Sequence, residues 1–121
     1  MSPQLDIERF DTEPRLSRAI NYGNLLFFSG FIAVEAGSDI RSQTTAALQK
    51  MDAALAKRGV DKTRLLSVQI WIRDMERDFA AFNEIWDAWL PKNAAPCRYA
   101  GEVKMGNPDT LVELICVAAA N

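Results

Sequence analysis

Arg98 and Glu113 are the residues of this sequence best suited to chemistry, and they stand fifteen positions apart near its C-terminal end. Arg98 follows Ala95-Pro96-Cys97 and opens a segment with strand character, Arg98 to Met105. A guanidinium at a strand end can project into a cleft and hold a carboxylate through two parallel hydrogen bonds. The plainer alternative is an exposed arginine on a strand edge, or one side of an ion pair between subunits. Glu113 stands between Val112 and Leu114 in the apolar run Leu111 to Ala119. A carboxylate is costly in such a run unless it is paired or used. Burial would raise its pKa and a nearby arginine would lower it, so Glu113 can serve as a general acid or base, or simply as a buried partner.

Weaker signals surround these two. Ser29-Gly30 in an apolar segment can present backbone N–H groups to an anion, although a strand bulge explains the pair as well. Asn83 follows Phe82 on a helical stretch and is either a solvated helix residue or a ligand contact. Cys97 adjoins Arg98, but a nucleophilic cysteine usually relies on a histidine base, and the sequence contains no histidine. The same absence removes the commonest metal ligand and the usual neutral-pH acid/base, so proton transfer must use carboxylates, Lys, Tyr, Cys or water. Cys116 alternates into a strand and reads as a small core side chain.

The elements that must position these groups follow from periodicity. Leu25 to Val34 reads as a strand interrupted at Ser29-Gly30, and Gly23-Asn24 turns it back on an earlier strand at Ala19 to Tyr22. From Ile40, the residues Thr44, Ala47, Leu48, Met51, Ala54 and Leu55 recur at helical spacing until Lys57-Arg58-Gly59 closes the helix. Leu65 to Ile72 alternates as a strand with one buried face. A second helix, capped by Asp78, carries the stripe Phe79, Phe82, Trp86, Trp89 and Leu90 up to Pro91, a stripe suited to core packing. Gly106-Asn107-Pro108-Asp109 is a turn between the last two strands. If those strands pair across it, Glu102 faces Glu113 and Arg98 lies four residues further on, roughly 13 Å along the strand.

The resulting order, β-β-α-β-α-β-β, is an α+β two-layer arrangement with both helices on one face of a mixed sheet. The opposite face would carry residues such as Phe28, Ile32, Val68 or Ile115, which a domain this small cannot cover by itself, so oligomerisation is expected.

Composition narrows the field further. A chain of 121 residues, 49% apolar, is expected to form a single domain spanning residues 1–121. Lys and Arg total 14 against 16 acids, leaving no positive surplus for a polyanion, so nucleic acid is not expected as the main partner. No apolar run is long enough to cross a bilayer, no signal-like segment opens the chain, and two cysteines without a CxxC pair suit a reducing compartment. A cytoplasmic protein with no membrane partner is the expectation.

Four pieces taken in order, SG in the second strand, FAAFNEIWDAW in the second helix, AAPCR, and VEL in the last strand, resemble the RidA/YjgF family of reactive-intermediate deaminases. The resemblance runs from about Leu16 to Ala119, and the helix, the Pro-x-Arg and the MGNP turn are most similar to YoaB-like members. It implies a chorismate-mutase-like fold, a homotrimer around a β-lined centre, and three clefts between adjacent subunits. It also implies hydrolysis of enamine or imine derivatives of amino acids to 2-oxo acids and ammonia, with no cofactor or metal. Arg98 matches the family's carboxylate-binding arginine and Glu113 the glutamate that activates or positions water, while Ser29, Gly30 and Asn83 match lesser cleft positions and backbone groups near Gly30 and Ala100 would steady the substrate. One position departs: Leu16 stands where many deaminating members carry a tyrosine. That departure keeps open an alternative, a non-catalytic trimer that binds a small carboxylate metabolite. A third reading is a structural or chaperone-like trimer with an intersubunit Arg98–Glu113 salt bridge.

Overall fold

The computed structural model describes residues 5–121. Its elements are β1 (Ile7–Thr12), β2 (Ser17–Tyr22), β3 (Leu25–Phe28), α1 (Ile40–Lys57), β4 (Leu65–Ile72), α2 (Met75–Trp89), β5 (Cys97–Glu102) and β6 (Val112–Ala119). The six strands form one sheet in the order β1-β2-β3-β6-β4-β5, antiparallel throughout except for the parallel pair β4–β5. Both helices pack on one face, which establishes the α+β, two-layer architecture.

Local sequence explains most boundaries. Asp39 caps α1 by accepting from Ser42 N, and the helix ends where Gly59, at φ 81, donates to Ala56 O while Val60 donates to Leu55 O. This pair of bonds satisfies two terminal carbonyls and needs a left-handed residue, which glycine supplies without strain. Gly23, at φ 60, occupies the two-residue turn between β2 and β3. The core is the layer between helices and sheet: Leu48, Met51 and Leu55 of α1 and Phe82 and Trp86 of α2 meet Val68, Ile70, Ile72, Leu114 and Cys116 of the central strands. Burying each large apolar side chain contributes about 1.5–3 kcal/mol relative to leaving it exposed.

Four local expectations are corrected. Strand β1 is an addition, because its sequence IERFDT is almost wholly exposed and carries little apolar alternation; its partner β2, not its own pattern, makes it a strand. The cap of α2 is Asp74, which accepts from Arg77 N, whereas Asp78 lies within the helix, buried and paired with Arg77 at 2.8 and 2.9 Å. Phe28 and Val68 belong to the helix-covered core; Ile115 does lie on the opposite face, where its companions are Leu25, Phe27 and Val117, with Phe27 41% exposed.

The fourth correction concerns the last two strands, which do not pair. Strand β4 lies between them, so Glu102 is registered with Ile72 and Glu113 with Trp71. Glu102 instead accepts from Met75 N at the start of α2, where a carboxylate is favoured by the helix dipole. The Gly106–Asp109 turn is therefore part of a crossover over the end of β4. It is pinned from inside by Gln43, fully buried on α1, whose Nε2 donates to Gly37 O and Asp109 O and whose Oε1 accepts from Leu111 N.

Candidate functional site

Register decides how the candidate residues stand to one another. On β5, Arg98, Ala100 and Glu102 are aligned with Val68, Ile70 and Ile72, the residues of β4 that face the helices. On β6, Glu113 alternates with the buried Val112 and Leu114 and so points to the opposite, uncovered face. Arg98 and Glu113 therefore occupy opposite faces of the sheet within the chain. Two half-sites result.

The first half-site lies at the free edge of the sheet. Arg98 is exposed, and its Nη2 donates to Asn83 Oδ1 at 2.8 Å. Its guanidinium carbon stands 5.4 Å from the ring centre of Phe79 and 5.7 Å from that of Trp86, within reach of cation–π attraction. The aromatic stripe of α2 is thus a core element that also supports this cation. Asn83 orients Arg98, leaving the remaining guanidinium donors free for an anion. Because Val103 N donates to Ile72 O, alternation turns the main-chain amides of Arg98 and Ala100 away from β4 toward the open edge. A carboxylate docking here meets a charged fork and main-chain donors together.

The second half-site is built around the interruption after β3. Ser29 N donates to Arg18 O, and Ser29 Oγ donates to Ser17 O at 2.7 Å, which engages the hydroxyl proton and leaves only lone pairs for a ligand. Gly30 follows, and pairing resumes at Phe31, which exchanges both main-chain hydrogen bonds with Leu114. Glu113 folds back over Gly30 so closely that a Cβ on Gly30 would lie 2.9 Å from Glu113 Cδ and overlap Oε2. The lack of a side chain at position 30 is what admits the carboxylate. Partial burial pushes the Glu113 carboxyl above its ordinary range, and among the described residues no cation pairs with it. Leu16, 38% exposed, sits in the β1–β2 turn next to Ser17, where its carbonyl accepts from Glu13 N.

The structure thus brings Ser29, Gly30 and Glu113 together, with Leu16 adjoining through Ser17, and separately brings Arg98, Asn83 and Ala100 together. Cys97 is exposed, while Cys116 is buried and its thiol is pushed up to about 12. Among the described residues no cluster of three His, Cys, Asp or Glu side chains is arranged to hold a metal, and no helix is long and apolar enough to cross a membrane. Two contributors escape sequence reasoning: Gln43, whose only signal is a polar residue on the buried stripe of α1, and the pair Arg18 and Lys50 beside Gly30, which carry no spacing signal at all.

A mixed six-stranded sheet with two helices on one face and an interrupted strand beside a half-buried glutamate defines a chorismate-mutase-like α+β protein. The family whose sequence profile matches, described as Endoribonuclease L-PSP, aligns with residues 6–120. The RutC family protein YoaB of Escherichia coli is 36% identical over 115 residues, covering 95% of this chain and 99% of its own. A RutC family protein of Haemophilus ducreyi is 34% identical over 115 residues, covering 95% and 97%. Among solved structures, a YjgF-family protein of Neisseria meningitidis superposes with a TM-score of 0.91 at 36% identity and covers 97% of both chains. The chain belongs to the RidA/YjgF family and is close to YoaB.

Proposed function

We propose that this chain is a cytoplasmic homotrimer that hydrolyses 2-imino and enamine acids to 2-oxo acids and ammonia in clefts between subunits, without metal or cofactor. The observation that carries this reading is the separation of Arg98 and Glu113 onto opposite faces of one sheet, each without an ion-pair partner among the described residues. Such halves make a complete site when the β5 edge of one protomer meets the Gly30–Glu113 surface of the next. The uncovered face, with Tyr22, Leu25 and Phe27 exposed, supplies an apolar surface for that assembly.

In the cleft, Arg98 and the outward amides at Arg98 and Ala100 hold the substrate carboxylate, and Asn83 keeps the guanidinium oriented. Water adds to the imine carbon, with Glu113 taking its proton. Glu113 returns that proton to the nitrogen of the tetrahedral adduct, and as the C–N bond breaks the adduct's hydroxyl gives up its own proton, through Glu113 or solvent, to the departing nitrogen, leaving the 2-oxo group and ammonia with no redox partner needed. A carboxyl raised above its ordinary range by partial burial is suited to exchange protons in both directions. Positioning and modest proton transfer are enough for a reaction that already proceeds in water.

A non-catalytic trimer that captures a small carboxylate at Arg98 is the second reading, favoured by Leu16, which brings a hydrocarbon rather than a hydroxyl to the rim of the Ser29–Gly30 half-site. A nuclease reading, suggested by the description of the family profile, has less support, since the formal charge is −2 and histidine is absent.

The test is subunit complementation. Arg98→Ala and Glu113→Ala proteins are each assayed with imines freshly generated from amino acids, then co-refolded in equal amounts. Two inactive variants that regain roughly a quarter of the wild-type rate on mixing, the statistical share of intact interfaces, support the composite deaminase site. Variants that remain inactive on mixing, despite forming mixed trimers, rule out a site shared in this way. Absence of acceleration by the wild-type trimer moves the assignment to the ligand-binding reading.

A further inference from the structure

Beside Gly30, on the side away from Arg98's edge, lies a cleft of about 320 Å³ lined by Arg18, Gly30, Phe31, Ile32 and Lys50. Its lining holds two cations and no acid. The main chain of Arg18 accepts from Ser29 N at the cleft wall, and the Lys50 cation reaches from α1 to donate to Ile32 O at 2.7 Å. Their carboxylate partners, Glu13 at 3.0 Å from Arg18 Nε and Glu35 beside Lys50, lie outside the lining and are exposed. Lys50 holds the Glu35 carboxyl below the usual carboxylate range. Exposed pairs of this kind are weak, so a ligand carboxylate entering the cleft can take over either cation at small cost. Phe31 and Ile32 between them offer a hydrocarbon wall to a short methylene chain.

Gly30 borders this cleft and also the Glu113 carboxylate. A substrate whose reacting carbon stands at Glu113 has this cleft next to it, across Gly30. We infer that the site selects dicarboxylic 2-imino acids and their 2-oxo products, with Arg98 taking the carboxylate next to the reacting carbon and Arg18 and Lys50 taking the one at the far end. This inference rests on the proposed site for its reacting centre. The distal carboxylate takes no part in bond making; it fixes the substrate's position through two charge-assisted contacts.

The experiment compares binding of 2-oxoglutarate and 2-oxopentanoate, equal in length and differing in the terminal charge, to the wild-type protein and to Arg18→Gln/Lys50→Gln by calorimetry at low salt. The expected result is at least about tenfold tighter binding of 2-oxoglutarate to the wild type, a preference lost in the double variant with 2-oxopentanoate affinity unchanged. Equal affinities in the wild type, failure of both acids to bind, or a preference that survives the double substitution overturns the inference. A turnover arm separates the two proposals. Imines from alanine and leucine hydrolysed as fast as those from aspartate and glutamate would leave the deaminase reading standing and remove the dicarboxylate selection. No acceleration of any imine, with the binding preference intact, would remove the deaminase reading and keep the selection.

Discussion

At the β5 edge a guanidinium stands in solvent with an amide and two aromatic rings holding it in place, whereas at the Gly30 interruption a carboxylate is pressed onto backbone with no side-chain partner among the described residues. The edge is preorganised through contacts that α2 supplies, and its charge is always present. The interruption is organised through the absence of a side chain, and its charge depends on pH. A binding group tolerates exposure because its task is to meet an anion that also arrives from water. A proton-transfer group gains from partial desolvation, which moves its pKa toward the working range. On the proposed reading the two halves differ as a clamp differs from an acid/base, and each can be broken separately.

The largest effect is expected at the clamp. Arg98→Ala should reduce kcat/KM by roughly 10²–10³, in line with the 2–5 kcal/mol typical of truncating a charge-paired contact, and Arg98→Lys should restore only part because a point charge lacks the fork. Steady-state kinetics on one imine series decides this; near-wild-type activity in Arg98→Ala would remove the clamp from the mechanism. A smaller loss, about tenfold to a hundredfold, is expected for Gly30→Ala, where the new methyl displaces the Glu113 carboxylate without touching the edge. That loss should fall mainly on kcat, and an effect confined to KM would show that Gly30 serves binding alone.

The smallest effect concerns Glu113 and pH. Its folded-state pKa is raised by desolvation, so its contribution to stability is present below the ordinary carboxylate value and fades as pH rises through the raised one. Glu113→Gln should therefore melt slightly higher than the wild type at neutral pH and lose that advantage in acid. A destabilised Glu113→Gln at neutral pH would mean that a neighbouring copy of the chain supplies the carboxylate with a cation. In the wild type the acid limb of kcat/KM should break above the ordinary carboxylate pKa, and this limb should be absent from the residual activity of Glu113→Gln.

Much of this arrangement was legible from periodicity alone. The alternation of Leu65–Ile72 and the helical spacing from Ile40 to Lys57 match the observed β4 and α1, because each segment is long and has one side fully buried. Strand β1 was not legible, since an exposed hairpin arm with sequence IERFDT has no core to imprint a pattern on it. The pairing of β5 was misread for a different reason: a turn sequence between two strands reports that the chain reverses, but not which strand already occupies the space between them. Asp78 looked like a cap because caps and helix interiors share residue types; the paired guanidinium of Arg77 lets it be buried.

The same division applies to the candidate site. By itself the sequence singled out the candidate residues, Arg98 on a strand and Glu113 in an apolar run, because residue type and local alternation are properties of short segments. Family membership was also within its reach, through motifs spread in order along the chain. Only the tertiary structure decided that β4 separates β5 from β6, that Arg98 and Glu113 consequently face opposite ways, and that Arg18 and Lys50 converge beside Gly30. Those facts depend on which strand pairs with which and in what register, and a shift of one residue would exchange the two faces, so they are settled by long-range packing rather than by any local run of residues.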